Sequence, residues 1–296
     1  MTPQHNGTPT PAEAAGVWQL GGDTPLARMG FGAMRLPLKD LNGPARDPER
    51  GIAVLRRARE LGVNHIDTAA FYFHDGVRAN VLIREALAPY PADLVLATKV
   101  GPSRAADGSF LPEAAPEQLR GQVEQNLTEL GVDRLDLVNL RVGHGLERDE
   151  TPVSARFEAL AALQEEGLIT HLGVSNVTAA QLAQARSVAP VTSVQNRYGL
   201  NDREDEGLLR HCAEEGIAYV PYFPLGGETG AQAARIDRIA ARRGLSPAQL
   251  ALAWLLSRSR AVLAIPGTGS LAHLEENVAA GEVQLTETEL AEIAGD

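Results

Sequence analysis

The sequence predicts an α/β protein, a closed (β/α)8 TIM barrel with an N-terminal β-hairpin and extra helices near its C-terminus. Short apolar runs alternate with amphipathic stretches along all 296 residues. Such alternation implies parallel strands joined by right-handed helical crossovers, and eight such units close into a barrel. Polar residues also end the expected strands one after another, at the end where barrels carry their sites. The rival is an open doubly wound sheet. Its fingerprint is approached only by Gly30-Phe31-Gly32-Ala33-Met34-Arg35, which lacks the third glycine and a following helix.

Taken in order, 1–15 is rich in Thr, Pro and Ala and reads as a disordered tail before a single barrel domain over 16–296. It has no basic or apolar leader pattern. Residues 17–20 and 25–29 flank Gly21-Gly22-Asp23 and form a hairpin. A first barrel strand is expected at 31–34. Asp47 and Pro48 start a helix over 48–61 with Ile52, Leu55 and Ala58 on one face. Strands then follow at 63–67, 94–99, 135–140, 169–175, 192–196, 218–222 and 261–266. Helices are expected at 77–87, 116–130, 153–166, 179–187, 204–215, 231–243, 247–257, 271–279 and 287–294.

The stretch Gly62 to Tyr72 draws most attention. A buried strand there leaves on Asp67, and an unpaired buried carboxylate is costly. Alone, Asp67 reads as a helix cap and Tyr72 as a loop aromatic. Other strand ends change that reading: Lys99, Asn139 with Arg141, Ser175-Asn176, Gln195-Asn196, Tyr222 and Gly267-Thr268. Packing alone does not call for amides and charges at so many successive strand ends.

Composition narrows the function classes. The net charge of −11 opposes nonspecific binding to nucleic acid or anionic lipid. No apolar run is long enough to span a bilayer. The single cysteine, Cys212, excludes an internal disulfide framework, suits a cytoplasmic location, and reads as a core residue beside Leu208 and Leu209. No metal-ligand spacing and no nucleophile-elbow serine is present. The expected partner is a small molecule, and oligomeric state is left open.

The segments I-D-T-A-A-F-Y at 66–72, A-T-K-V at 97–100, G-V-S-N at 173–176, V-Q-N-R-Y at 194–198, Y-F-P-L-G-G at 222–227 and I-P-G-T-G-S…E-E-N at 265–277 resemble the aldo-keto reductase superfamily, in register over the whole folded chain. L-D-L-V-N-L-R-V at 135–142 is similar to its bacterial pyridoxal reductase (pyridoxine 4-dehydrogenase) branch. The resemblance implies hydride transfer from NADPH, with NAD as the alternative, to a carbonyl carbon. Tyr72 would then be the general acid, Lys99 its tuner and Asp67 the counter-charge. An ammonium beside a phenol favours its ionised form. For the cofactor, the resemblance implies Ser175, Asn176 and Gln195 on the carboxamide and Tyr222 on the ring. It further implies Pro224, Leu225, Gly226 and Gly227 along the pyrophosphate, Gly267, Thr268, Ser270 and His273 at a ribose phosphate, and Glu276 and Asn277 by the adenine.

Two departures qualify it. Arg141 stands where the superfamily usually has a histidine; it cannot release a proton, but can donate hydrogen bonds to an anionic oxygen. His144 is a second candidate for that part, and Glu147 or Asp149 would be ordinary partners for Arg141. Gly267 and His273 stand where Lys and Arg often hold the 2′-phosphate. His65 shares the inward face with Asp67 and reads as packed core. The alternative function is a nucleotide-binding sensor of the same fold with little turnover.

Overall fold

Left-handed glycines Gly21 (φ 62°) and Gly22 (φ 90°) fold β1 (Val17–Leu20) back on β2 (Thr24–Ala27). The hairpin buries Leu20 and Leu26 against Val95, Ala97, Leu137, Ala218, Val220, Leu263 and Ile265, the apolar lining of the barrel. It plugs the end at which the strands begin, as Ala27 N–H donating to Asn64 Oδ1 just ahead of β4 confirms. The structure is a computed structural model that describes residues 9–38, 44–105, 108–143, 145, 147–222 and 230–294.

The barrel strands are β3 (Phe31–Gly32), β4 (His65–Asp67), then, after a small antiparallel hairpin of β5 (Phe73–His74) and β6 (Val77–Arg78), β7 (Val95–Val100), β8 (Leu135–Arg141), β9 (Ile169–Ser175), β10 (Ser193–Gln195) and β11 (Ala218–Tyr219). All pair in parallel in the order β3-β4-β7-β8-β9-β10-β11. Closure comes through 262–264. Val262 bridges to Tyr219 and Ala264 to Met29, and Leu263 N donates to Tyr219 O at 2.9 Å. The expected eighth strand is thus reduced to isolated bridges.

Helices α1 (Pro48–Glu60), α2 (Ala79–Leu87), α3 (Pro116–Leu130), α4 (Ser154–Glu165), α5 (Ala179–Val188), α6 (Glu206–Glu214), α7 (Gly230–Arg243), α8 (Pro247–Arg258), α9 (Leu271–Ala279) and α10 (Glu287–Ala294) surround it. Their starts follow the sequence signals. Asp47 caps α1, Thr178 caps α5, Ser246 caps α8 and Ser270 caps α9. Outward strand residues such as Ile66, Leu96, Val138, Leu172 and Val194 meet Leu55, Leu82, Val123, Leu160 and Leu182 of the helices. Among the described residues no helix is long and apolar enough to cross a membrane.

Several expectations change. The tail expected over 1–15 is ordered at its end: Pro11–Ala15 is a 3₁₀ turn, with Ala12 buried and its N–H donating to Leu61 O at 3.0 Å, while residues 1–8 lie outside the described residues. The helix expected from residue 77 begins at Ala79, because Asp75 (φ 45°) and Gly76 (φ 79°) make the β5–β6 turn. Strands expected at 192–196 and 218–222 contract to β10 and β11, leaving Arg197 and Tyr222 as a bridge. Residues 33–35 form a 3₁₀ turn and not strand. Cys212 is buried as expected, and burial pushes its thiol up to about 12. His65 is buried on the inward face; burial lowers its pKa to about 4, so the ring is neutral.

Candidate active site

Period-two alternation sends Asp67, Lys99, Arg141, Ser175 and Gln195 into the barrel from the ends of β4, β7, β8, β9 and β10. The register places Lys99 opposite Asn139, Arg141 opposite Ser175, and Ser175 opposite Gln195. Lys99 Nζ donates to Asp67 Oδ1 and Oδ2 at 2.6 and 2.8 Å and to Thr68 O at 3.0 Å. Gln195 Nε2 donates to Asp67 Oδ2 at 2.8 Å. Asp67 is therefore fully partnered although only 4% exposed. Burial works against the Lys99 ammonium, but the charge of Asp67, with hydrogen bonds to Asp67 and Tyr72, outweighs it and raises the pKa.

Tyr72 sits in the turn after β4. Its N–H donates to Ala69 O at 3.0 Å, and its carbonyl accepts from Ala79 N at 2.9 Å, which holds the backbone on both sides. Lys99 Nζ lies 4.9 Å from the Tyr72 ring centroid, and Phe71 packs edge-on at 5.1 Å. A phenol, an ammonium and a carboxylate thus meet at the barrel mouth.

Arg141 ends β8. Its Nη1 donates to Ser175 Oγ at 3.2 Å and its Nη2 to Gly145 O at 2.5 Å. Its guanidinium carbon stands 5.1 Å from the Tyr222 ring centroid. Neither Glu147 nor Asp149 pairs with it; Asp149 Oδ1 instead accepts from Thr151 N at 3.0 Å. Tyr222 O–H donates to Asn176 Oδ1 at 2.7 Å, and burial, partly offset by Arg141, raises the pKa of Tyr222.

The expected cofactor residues divide. Gln195 Oε1 is buried with no partner among the described residues, an acceptor suited to an amide N–H. Ser175 Oγ accepts from Arg141 and keeps its own O–H to donate. Asn176, in the left-handed region (φ 61°), spends both amide hydrogens on Val142 O and Glu147 O at 2.9 and 2.8 Å. Its expected contact with a carboxamide is therefore limited to Oδ1. Thr268 Oγ1 accepts from Ser270 N at 3.1 Å, and Ser270 Oγ caps α9 by accepting from His273 N at 3.4 Å. His273 and Glu276 are exposed on α9. Asn277, next to Glu276, is 3% exposed. Pro224, Leu225, Gly226, Gly227 and His144 lie outside the described residues.

Packing accounts for the glycine at 267. A Cβ there would meet Gly32 O at 2.4 Å, and one on Gly32 would meet Ile265 O at 2.6 Å, so first and last strand ends are pressed together. A guanidinium lies two residues further on. Arg46 lays its guanidinium over Gly269, where a Cβ would meet Cζ at 2.5 Å, and its Nε donates to Arg35 O at 3.2 Å.

Two polar networks escaped the sequence reading. Arg148 pairs with both oxygens of Asp205 at 2.6 and 2.7 Å, and Asn196 and Tyr219 donate to the same carboxylate. Behind β4 and β7, Thr68 and Thr98 donate to Asn80 and Asn126, which are themselves bonded. Neither network has a local sequence signal, because its members lie on different elements.

Comparison with known proteins agrees with this geometry. The Aldo/keto reductase family model matches residues 28–295. The chain is 47% identical to pyridoxine 4-dehydrogenase of Escherichia coli (strain K12) over 276 residues, 93% of this chain and 96% of that protein. A crystal structure of a thermostable aldo-keto reductase with the inhibitor epalrestat superposes with a TM-score of 0.80 at 29% identity, covering 94% of this chain and 98% of that one. The aldo-keto reductase from Klebsiella pneumoniae in complex with NADPH gives 0.74 at 28%, covering 94% and 93%. The chain belongs to the aldo/keto reductase family.

Proposed function

We propose that the protein reduces an aldehyde with NADPH, and that pyridoxal, reduced to pyridoxine, is its substrate. The observation that carries the reading is the Asp67–Lys99–Tyr72 constellation at the barrel mouth, beside the unpartnered Oε1 of Gln195. That acceptor, the α9 start and the Arg46 guanidinium fit the carboxamide and phosphates of a nicotinamide dinucleotide phosphate. The bound cofactor supplies the hydride.

Tyr72 delivers the proton to the carbonyl oxygen, and the Lys99 ammonium stabilises the phenolate left behind. Asp67 keeps Lys99 charged and aimed, and Gln195 holds Asp67. Arg141 cannot shuttle protons; its guanidinium binds the phenolic oxygen that pyridoxal carries beside its aldehyde, an oxygen largely ionised at neutral pH. This orients the carbonyl toward Tyr72. The name of the Escherichia coli relative supports the substrate, and the buried Cys212 thiol suits a cytoplasmic setting.

The test is NADPH oxidation with pyridoxal and with benzaldehyde. Sustained turnover of pyridoxal above the simple aldehyde is expected. Tight NADPH binding with no turnover of either would favour a sensor.

A further inference from the structure

We propose that Arg104 is a positioning residue for Tyr72, acting through Phe73. The inference rests on Tyr72 being the proton donor. Phe73 follows Tyr72 directly and starts the β5–β6 hairpin, a two-stranded sheet separate from the barrel sheet with two residues in each strand. Something must fix it, and a stack does. Arg78 stands on one side, its guanidinium carbon 4.7 Å from the Phe73 centroid, and Arg104 is also over the ring at 5.2 Å. Arg104 also covers Phe110, at 5.5 Å. Cations over aromatic faces are attracted by the ring quadrupole.

The stack is anchored by hydrogen bonds. Arg104 Nη1 donates to Phe73 O at 3.1 Å and Nε to Gly108 O at 2.7 Å. Arg78 Nη1 is tied to Glu129 Oε1 of α3 at 3.0 Å. The loop that carries Arg104 is braced by Leu111 N donating to Ser103 O at 3.0 Å. Arg104 thus clamps both the ring and the carbonyl of the residue next to the proton donor, using the loop that follows the Lys99 strand. The loop after the Lys99 strand thus adds a tie at Phe73 to the Ala69 and Ala79 hydrogen bonds that hold the Tyr72 backbone.

There is space for failure. A cavity of about 60 Å³ is lined by Phe71, Phe73, Lys99 and Arg104. Without the clamp Phe73 can turn into it and carry Tyr72 off Lys99. Small displacements of a reacting group are costly: about 1 Å can lower a rate by about a hundredfold.

The experiment is a double-mutant cycle in the full chain, Arg104→Met, Phe73→Leu and both together, with Arg104→Lys as the conservative variant. Turnover, substrate KM and NADPH affinity by fluorescence titration are measured, with thermal unfolding as the folding control. Arg104→Met should lower kcat by about tenfold or more, with KM and NADPH affinity held within about threefold. Arg104→Lys should recover part of kcat, and the double variant should lose no more than the worse single one. An unchanged kcat in Arg104→Met, parallel losses of kcat and NADPH affinity, or additive losses in the cycle would overturn the proposal. If Arg104→Met does not fold, Phe73→Leu decides: a fall in kcat at constant KM supports the clamp, and wild-type turnover removes it. The underlying reading fails in a different way, through Tyr72→Phe turning over as fast as wild type.

Discussion

Lys99 Nζ lies 2.6 and 2.8 Å from the two carboxylate oxygens of Asp67, with the two side chains 3% and 5% exposed. Removing one partner leaves the other buried and uncompensated, at a cost of about 3–5 kcal/mol. Lys99→Met and Asp67→Asn should each lower the unfolding free energy measured by urea titration by that scale. The pair Asp67→Asn/Lys99→Met should be more stable than the additive sum of the two single variants. Additive losses would mean that the two charges are not coupled.

His65 offers a pH test. Its folded pKa of about 4 lies below the ordinary 6.5, so protons bind the unfolded chain first. The stability contribution is fully present above pH 6.5 and is lost as pH falls toward 4. A shift of that size corresponds to about 3 kcal/mol between the ends of the window. His65→Leu should flatten the stability curve between those pH values, leaving the carboxylate-driven loss below. An equally steep curve in the variant would show that another group titrates there. The ring also presses on Gly30, where a Cβ would meet Nε2 at 2.1 Å, so Gly30→Ala should destabilise the barrel.

Much of this was legible in the sequence. The helix caps at Asp47, Thr178, Ser246 and Ser270 are local signals, and Asp67, Lys99, Arg141, Ser175 and Gln195 stood out as polar residues at expected strand ends. The β5–β6 hairpin was missed although Asp75-Gly76 is a turn signal, because the apolar spacing of α2 extends back to Val77. The ordinary alternative for Arg141, a pair with Glu147 or Asp149, is not what forms: the backbone turn at Gly145 and the register with Ser175 claim the guanidinium. Arg46 could not be assigned, since its proximity to Gly269 exists only once the first and last loops are folded together.

Arg141 should discriminate substrates. A charge-assisted hydrogen bond to the pyridoxal phenolate contributes about 1.5–3 kcal/mol, one to two powers of ten in kcat/KM. Arg141→His should lose that much on pyridoxal and much less on benzaldehyde. Equal losses on both would make Arg141 a general electrostatic or structural residue.

Arg46 should discriminate cofactors. Arg46→Ala is expected to weaken NADPH binding about tenfold in direct titration while NADH binding changes little. Equal weakening of both would place the guanidinium on a part common to the two, such as the pyrophosphate.

In the proposed reaction Tyr72 gives the proton. Replacing Tyr72 with Phe keeps the ring beside Lys99 and removes only the hydroxyl. The decisive measurement is single-turnover oxidation of bound NADPH by pyridoxal in Tyr72→Phe and wild type, with NADPH affinity titrated in parallel. Unchanged affinity and a rate lower by about 10²–10⁴ are expected. A rate within about threefold of wild type would contradict the account.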